Sequence, residues 1–143
     1  MRGKLYAKEG LVTLEATCCC KQVSITVSEN PVMNSVCNCT NCKLRTGSAF
    51  GVSMYFKTES VVKITGETKI YKLWHKELSH EQSRHFCVQC GTTLFWYVST
   101  MPHLIGVAGG CFAASGVIEP THSVNNSQKC QWVNFPSNWQ ING

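Results

Sequence analysis

Six residues, Cys37-Asn38-Cys39-Thr40-Asn41-Cys42, restrict this chain more than any other stretch. The C-x-C-x-x-C pattern is too tight for a strand and too cysteine-rich for an ordinary loop. One soft-ligand metal ion can gather three thiolates from so short a turn, and that is the chemistry the spacing favours. Two further clusters accompany it, Cys18-Cys19-Cys20 and Cys87-Val88-Gln89-Cys90-Gly91-Thr92. A C-x-x-C followed by glycine forms a tight turn whose backbone N–H groups point at the thiolates, the usual half of a tetrahedral zinc site.

Counting the thiols sharpens this. Cys18 and Cys20, then Cys37, Cys39 and Cys42, then Cys87 and Cys90 make seven. Two closed four-ligand sites need eight. Seven make one closed four-cysteine site and one three-cysteine site with a free position, and a free position is what distinguishes catalytic from structural zinc. The C-x-C-x-x-C run can chelate an ion alone, so it is the natural open site. The two distant pairs would close the other. Spacing alone also allows Cys37 or Cys42 to join Cys87 and Cys90. Cys19 points away from its neighbours in an extended segment and reads as a small packing residue. Cys111 and Cys130 stand alone and read as core or incidental thiols, although a fourth ligand from Cys111 would close the Cys37 site.

The chain has 143 residues, 43% hydrophobic and 15% charged, which suits one globular domain across 1–143 with its core over about 11–135. The formal charge is +5, but lysines and arginines are scattered, so no nucleic-acid or membrane patch stands out. Seven thiolates on two Zn²⁺ would lower that charge to about +2. The N-terminus, from Met1 to Gly10, has no apolar signal-peptide region, and no apolar stretch approaches the roughly 18 residues of a membrane span. Ten cysteines without a secretion signal point to metal-bound thiols in the reducing cytosol rather than to disulfides.

Alternating and apolar runs predict about nine short strands and a mostly-β fold. They lie at 11–16, 23–27, 32–36, 49–56, 61–65, 69–74, 93–98 and 104–108, with weaker signals beyond Cys111. Lys43 to Thr46 predicts one helical turn stopped by Gly47. Residues 75–84 are polar and charged and read as a loop. Trp132, Phe135 and Trp139 are expected to cap the core.

Taken together, the three clusters resemble the glutathione-dependent formaldehyde-activating enzyme family, which also includes centromere protein V. The resemblance runs through Cys18-Cys19-Cys20-Lys21-Gln22-Val23, then Cys37 through Ser48, then Arg84-His85-Phe86-Cys87-Val88-Gln89-Cys90-Gly91-Thr92. It implies a β-tent fold of packed antiparallel sheets. It also implies a structural zinc on Cys18, Cys20, Cys87 and Cys90 and a catalytic zinc on Cys37, Cys39 and Cys42. The implied activity is that of a carbon–sulfur lyase or synthase acting on glutathione or a similar thiol adduct, such as S-hydroxymethylglutathione. Three positions depart from the family pattern: Lys21 for a glycine, Asn38 for a histidine and Lys43 for an arginine.

Three thiolates give bound zinc a net charge of −1, which suits a soft substrate thiol as fourth ligand better than an activated water. Lys43 and Arg45 are placed to meet an anionic substrate such as a glutathione carboxylate, and Ser48 to hydrogen-bond near the metal. His85 and His122 read as packing or surface residues, and Tyr97 as core. The competing reading is a non-catalytic zinc module that binds protein or nucleic acid.

Overall fold

The computed structural model describes residues 13–76 and 78–143. The N-terminal decapeptide and the first two residues of the strand expected at 11–16 lie outside them. Eleven strands and one short helix follow in order. They are β1 (Leu14–Thr17), β2 (Ser24–Val27), β3 (Met33–Cys37), α1 (Thr40–Thr46), β4 (Gly51–Lys57) and β5 (Val61–Thr65). Then come β6 (Thr68–His75), β7 (His80–Cys87), β8 (Thr93–Val98), β9 (Leu104–Ala108), β10 (His122–Val124) and β11 (Gln140–Ile141).

They form two sheets. One is three-stranded, in the order β1-β2-β5, and the other eight-stranded, in the order β11-β10-β3-β4-β9-β8-β7-β6. The expectation of antiparallel sheets holds except at one end, where β10 runs parallel to both β3 and β11.

Successive side chains of a strand point to opposite faces, and that alternation divides the large sheet into two environments. One face packs on the small sheet: Leu14, Ala16, Ile25 and Val27 meet Met54, Phe56, Ile105 and Val107 in one buried cluster with Phe112. Each of the larger side chains contributes about 1.5–3 kcal/mol when fully buried. The opposite face carries Cys37, Ser53, Tyr55, Trp96, Gln82 and Arg84 at alternate positions of neighbouring strands, and it holds the candidate site.

Of residues 75–84, expected as a loop, His75 instead ends β6 and pairs with His80, and 80–84 belong to β7. The inner face of β7 is polar, with His80, Gln82 and Arg84 buried, so it lacks the apolar alternation that reveals most strands. Trp132, expected to cap the core, is 75% exposed. Its neighbours Phe135 and Trp139 stack at 5.3 Å, and Phe135 meets Phe50 edge-on. Among the described residues no helix is long and apolar enough to cross a membrane.

Candidate metal centre and active site

The cysteines sit where the sheets change direction. Cys18 and Cys20 lie in the turn between β1 and β2, while Cys87 ends β7 and Cys90 lies in the turn that follows it. The four Sγ atoms all lie within 4.8 Å of one another. Cys18 and Cys20 are 3.6 Å apart, and Cys20 and Cys87 3.7 Å. Four sulfurs placed tetrahedrally at about 2.3 Å from zinc stand about 3.8 Å from each other, so the cluster has the span a zinc ion needs.

Backbone N–H groups point at the Cys87 sulfur as the C-x-x-C-Gly turn predicts, from Gln89 at 3.3 Å and Cys90 at 3.5 Å, and Val23 donates likewise to Cys18 at 3.2 Å. The Thr92 hydroxyl, with help from backbone N–H groups, holds Cys90 down to about 5. The Gln22 N–H pulls Cys20 down, but burial and sharing with the other three thiols push it up to about 12. Such a split within one cluster is what a shared cation would resolve. Cys19, expected to pack inward, is exposed.

Lys21 closes the first turn at φ 68°, in the left-handed region that favours glycine. A non-glycine residue there costs about 1–2 kcal/mol. Lys21→Gly is therefore expected to stabilise the fold by about 1 kcal/mol in a urea titration of the metal-loaded protein.

The second cluster draws each thiol from a different local structure. Cys37 ends β3, Cys39 is the N-cap of α1, and Cys42 sits in the helix's first turn. The Cys39 sulfur caps the helix by accepting from the Cys42 N–H at 3.4 Å. Gly47, at φ 65°, ends the helix with its N–H on the Lys43 carbonyl. The expected single helical turn thus begins three residues earlier, at Thr40. All three cysteines are buried, and their sulfurs lie within 4.8 Å of one another. No fourth cysteine, histidine or carboxylate lies within that span of all three sulfurs among the described residues, and Cys111 packs elsewhere, against the core.

Hydrogen bonds from Cys39 and Cys42, joined by Asn125, hold Cys37 far below the usual thiol range. The same sharing pushes Cys39 and Cys42 above it. Three buried thiols cannot all ionise without a cation among them, so the donor set fits a soft metal ion.

Asn38 turns away from the thiols. It is fully buried, and its Nδ2 donates to the Val124 carbonyl at 2.8 Å and to Ser123 Oγ at 3.0 Å. Asn125, itself at φ 56°, donates from Nδ2 to the Cys37 sulfur at 3.2 Å. Lys43 donates through Nζ to the Gln128 carbonyl, and Gln128 Oε1 accepts from the Thr40 N–H at 2.9 Å. Ser48 is exposed on a broad groove of about 480 Å³ that Arg45 also lines.

Sequence reasoning missed most of what surrounds the thiols. A cavity of about 70 Å³ opens between Cys37, Cys42, Arg45, Tyr55, Arg84 and Trp96. His75 places Nε2 3.7 Å from the Cys39 sulfur. A chain of hydrogen bonds runs along β7: Thr100 to His80, His80 to Gln82, Gln82 Oε1 accepting from Arg84 Nε, and Arg84 donating on to Asn41. It satisfies the buried polar face and fixes the Arg84 guanidinium. Burial and the nearby Arg45 charge lower the Arg84 pKa, while the Cys42 and Cys39 charges oppose them. Arg84 fell inside the third motif, but the partners on β7 carried no signal in a stretch read as loop.

Trp96 lies on its side across the sheet and donates from Nε1 to the Tyr55 hydroxyl at 3.1 Å. Gly106, in register with both, leaves the room, since a Cβ there would sit 2.2 Å from Trp96 Nε1. Gly106→Ala is expected to cost about 1–3 kcal/mol, because a wedged indole cannot yield like a flexible chain end. Thermal unfolding followed by tryptophan fluorescence reads both the loss and the displaced ring. A separate apolar cleft of about 380 Å³, beside Val32, Met33 and Ile118, contains no cysteine.

Comparison with known proteins agrees with these observations. A family model described as glutathione-dependent formaldehyde-activating enzyme matches residues 13–128. No curated protein matches the chain. Among solved structures, a Rhodobacter sphaeroides protein is similar with a TM-score of 0.53 and 19% identity, over 68% of this chain and 86% of that one. At that identity the likeness concerns the fold.

Proposed function

The chain belongs to the glutathione-dependent formaldehyde-activating enzyme family, and from that premise we propose that it is a zinc-dependent enzyme that makes or breaks a carbon–sulfur bond. Its substrate is glutathione or a related thiol adduct, and the joining of glutathione to formaldehyde as S-hydroxymethylglutathione is the reaction of reference. The observation that carries this reading is the three-thiol cluster opening on a small cavity with cationic walls.

Cys18, Cys20, Cys87 and Cys90 would hold a structural zinc, and Cys37, Cys39 and Cys42 a catalytic one with a position left for substrate. When bound, the second zinc supplies a soft position that favours a substrate thiol as its thiolate. The chain's own groups do the rest. Asn125 donates to Cys37 and His75 stands against Cys39, which keeps the ligand sulfurs oriented and tempers their charge. Asn38 acts as a positioning residue by fastening the Cys37–Cys39 backbone to β10.

Of the substrate-binding candidates, Arg45 lines the cavity itself, Lys43 braces the 125–128 segment and Ser48 borders the outer groove. Arg84 adds a second guanidinium to the cavity wall. An anionic thiol therefore approaches toward positive charge, which raises its local concentration. All ten cysteines are free, and we place the protein in a reducing compartment such as the cytosol, where glutathione is reduced.

Cobalt replacing zinc gives a direct test. Glutathione added to the cobalt protein is expected to produce a new sulfur-to-cobalt charge-transfer band from one of two cobalt ions. A spectrum indifferent to glutathione at millimolar concentration, with both ions present, would instead fit a non-catalytic zinc module.

A further inference from the structure

Arg45 leaves the last turn of α1 and lays its guanidinium over the Trp96 ring, 4.5 Å from the ring centre. Its Nη2 is buried and has no hydrogen-bond acceptor among the described residues. Among the described residues, neither Arg45 nor Arg84 has a carboxylate partner, and none of those lining the cavity they share carries a carboxylate. A buried charged donor without an acceptor is among the costliest of unmade hydrogen bonds. Its position is also specific. The point where a Cβ on Gly51 would sit lies 2.5 Å from Arg45 Nη2 and 3.3 Å from Cys42 Cβ. The guanidinium and the Cys42 side chain are thus neighbours across a glycine, with no side chain between them. The cavity, about 70 Å³, has room for a few heavy atoms and none for a tripeptide.

Resting on the thiol-site reading above, we propose that Arg45 binds the oxygen of the carbon unit that is joined to the substrate sulfur. That oxygen is the carbonyl, or a carboxylate beside it, and not a remote carboxylate of the thiol itself. In the joining direction the sulfur supplies the electron pair of the new C–S bond. The C=O π pair moves onto oxygen, which then takes a proton from solvent, and nothing is oxidised or reduced. The Arg45 donor meets that oxygen most strongly when the oxygen carries charge, so its effect falls on turnover.

Two small thiols test the placement by equilibrium binding to the metal-loaded protein in a calorimeter. Thioglycolate carries a carboxylate on the carbon next to sulfur, and 2-mercaptoethanol carries a neutral alcohol there. Thioglycolate is expected to bind about ten-fold tighter or more. Arg45→Met, which keeps contact with Trp96, is expected to shrink the difference to about two-fold, chiefly by weakening thioglycolate. Gly51→Ala is a second variant that keeps the charge but displaces Nη2, a flexible chain end, and it is expected to act the same way. Equal binding of the two thiols to the parent protein, or a preference that survives both variants, overturns the assignment while the thiol site stands. Binding of neither thiol overturns the thiol site and this assignment together.

Turnover of glutathione with formaldehyde and with glyoxylate identifies the oxygen. A lower kcat for both aldehydes in Arg45→Met, at unchanged KM for glutathione, places the carbonyl oxygen at Arg45. A fall confined to glyoxylate places the carboxylate there. A raised KM for glutathione at unchanged kcat overturns the proposal, because it puts Arg45 on the tripeptide.

Discussion

Cys39→Ser is expected to leave a folded protein that binds one metal ion instead of two and has lost at least about 100-fold of its activity, since even outer-shell changes around a metal cost 10–100-fold. The reasoning rests on two roles of one sulfur. Cys39 Sγ is one of the three clustered donors among the described residues, and it also caps α1 by accepting from the Cys42 N–H. Serine can take over the cap, because a hydroxyl is a good N-cap acceptor. It cannot replace a soft thiolate at zinc. The fold therefore survives while the ion is lost. Metal analysis and circular dichroism on the same sample check this. Full activity with the second ion absent would remove the catalytic metal from the mechanism.

Cys87→Ser is expected to behave in the opposite way, with the fold itself failing. Cys87 is 1% exposed and accepts from the Gln89 N–H, and its cluster ties the β1–β2 turn to the β7–β8 turn. Structural zinc contributes about 10–16 kcal/mol of apparent binding free energy in small zinc domains. A domain has only about 5–15 kcal/mol of net stability. Losing this ion is expected to produce insoluble or unfolded protein, or a melting point lowered by tens of degrees, as read by thermal circular dichroism. A variant with an unchanged melting point and both ions bound would show that this cluster is not structural. Compared in one experiment, the two serine variants separate the sites by consequence: activity without loss of fold, and fold with everything else.

How much of this could be read from the chain depends on how local each feature is. Metal-ligand spacing is local, so counting favoured one set of four and one of three while leaving other pairings open, and the structure brings Cys18, Cys20, Cys87 and Cys90 together and Cys37, Cys39 and Cys42 together. Strands with one apolar face were legible for the same reason. β7 was not, because His80, Gln82 and Arg84 turn inward to satisfy one another and the site rather than to fill the core. Tyr55 and Trp96 were visible only as aromatic residues of apolar strands, and their hydrogen bond depends on Gly106 in a third strand. The short parallel strands β10 and β11, of three and two residues, carry too little pattern to be recognised. Asn125 reaches Cys37 only because of them.

That parallel pairing also sets an order of events. Cys37 aligns with Val124, and Asn38 is fastened to the same strand across more than eighty residues of chain. Contacts so distant in sequence must bear the loop-closure entropy before they return any stabilisation, and they form late. The C-x-C-x-x-C run emerges early in synthesis, yet its bracing from the 122–128 segment must await the last part of the chain. A nascent polypeptide is therefore expected to hold three reactive, unbraced thiols for some time before the cleft closes around them. Thiol labelling during refolding would show Cys37 still accessible after the rest of the sheet has formed, until the 122–128 segment docks.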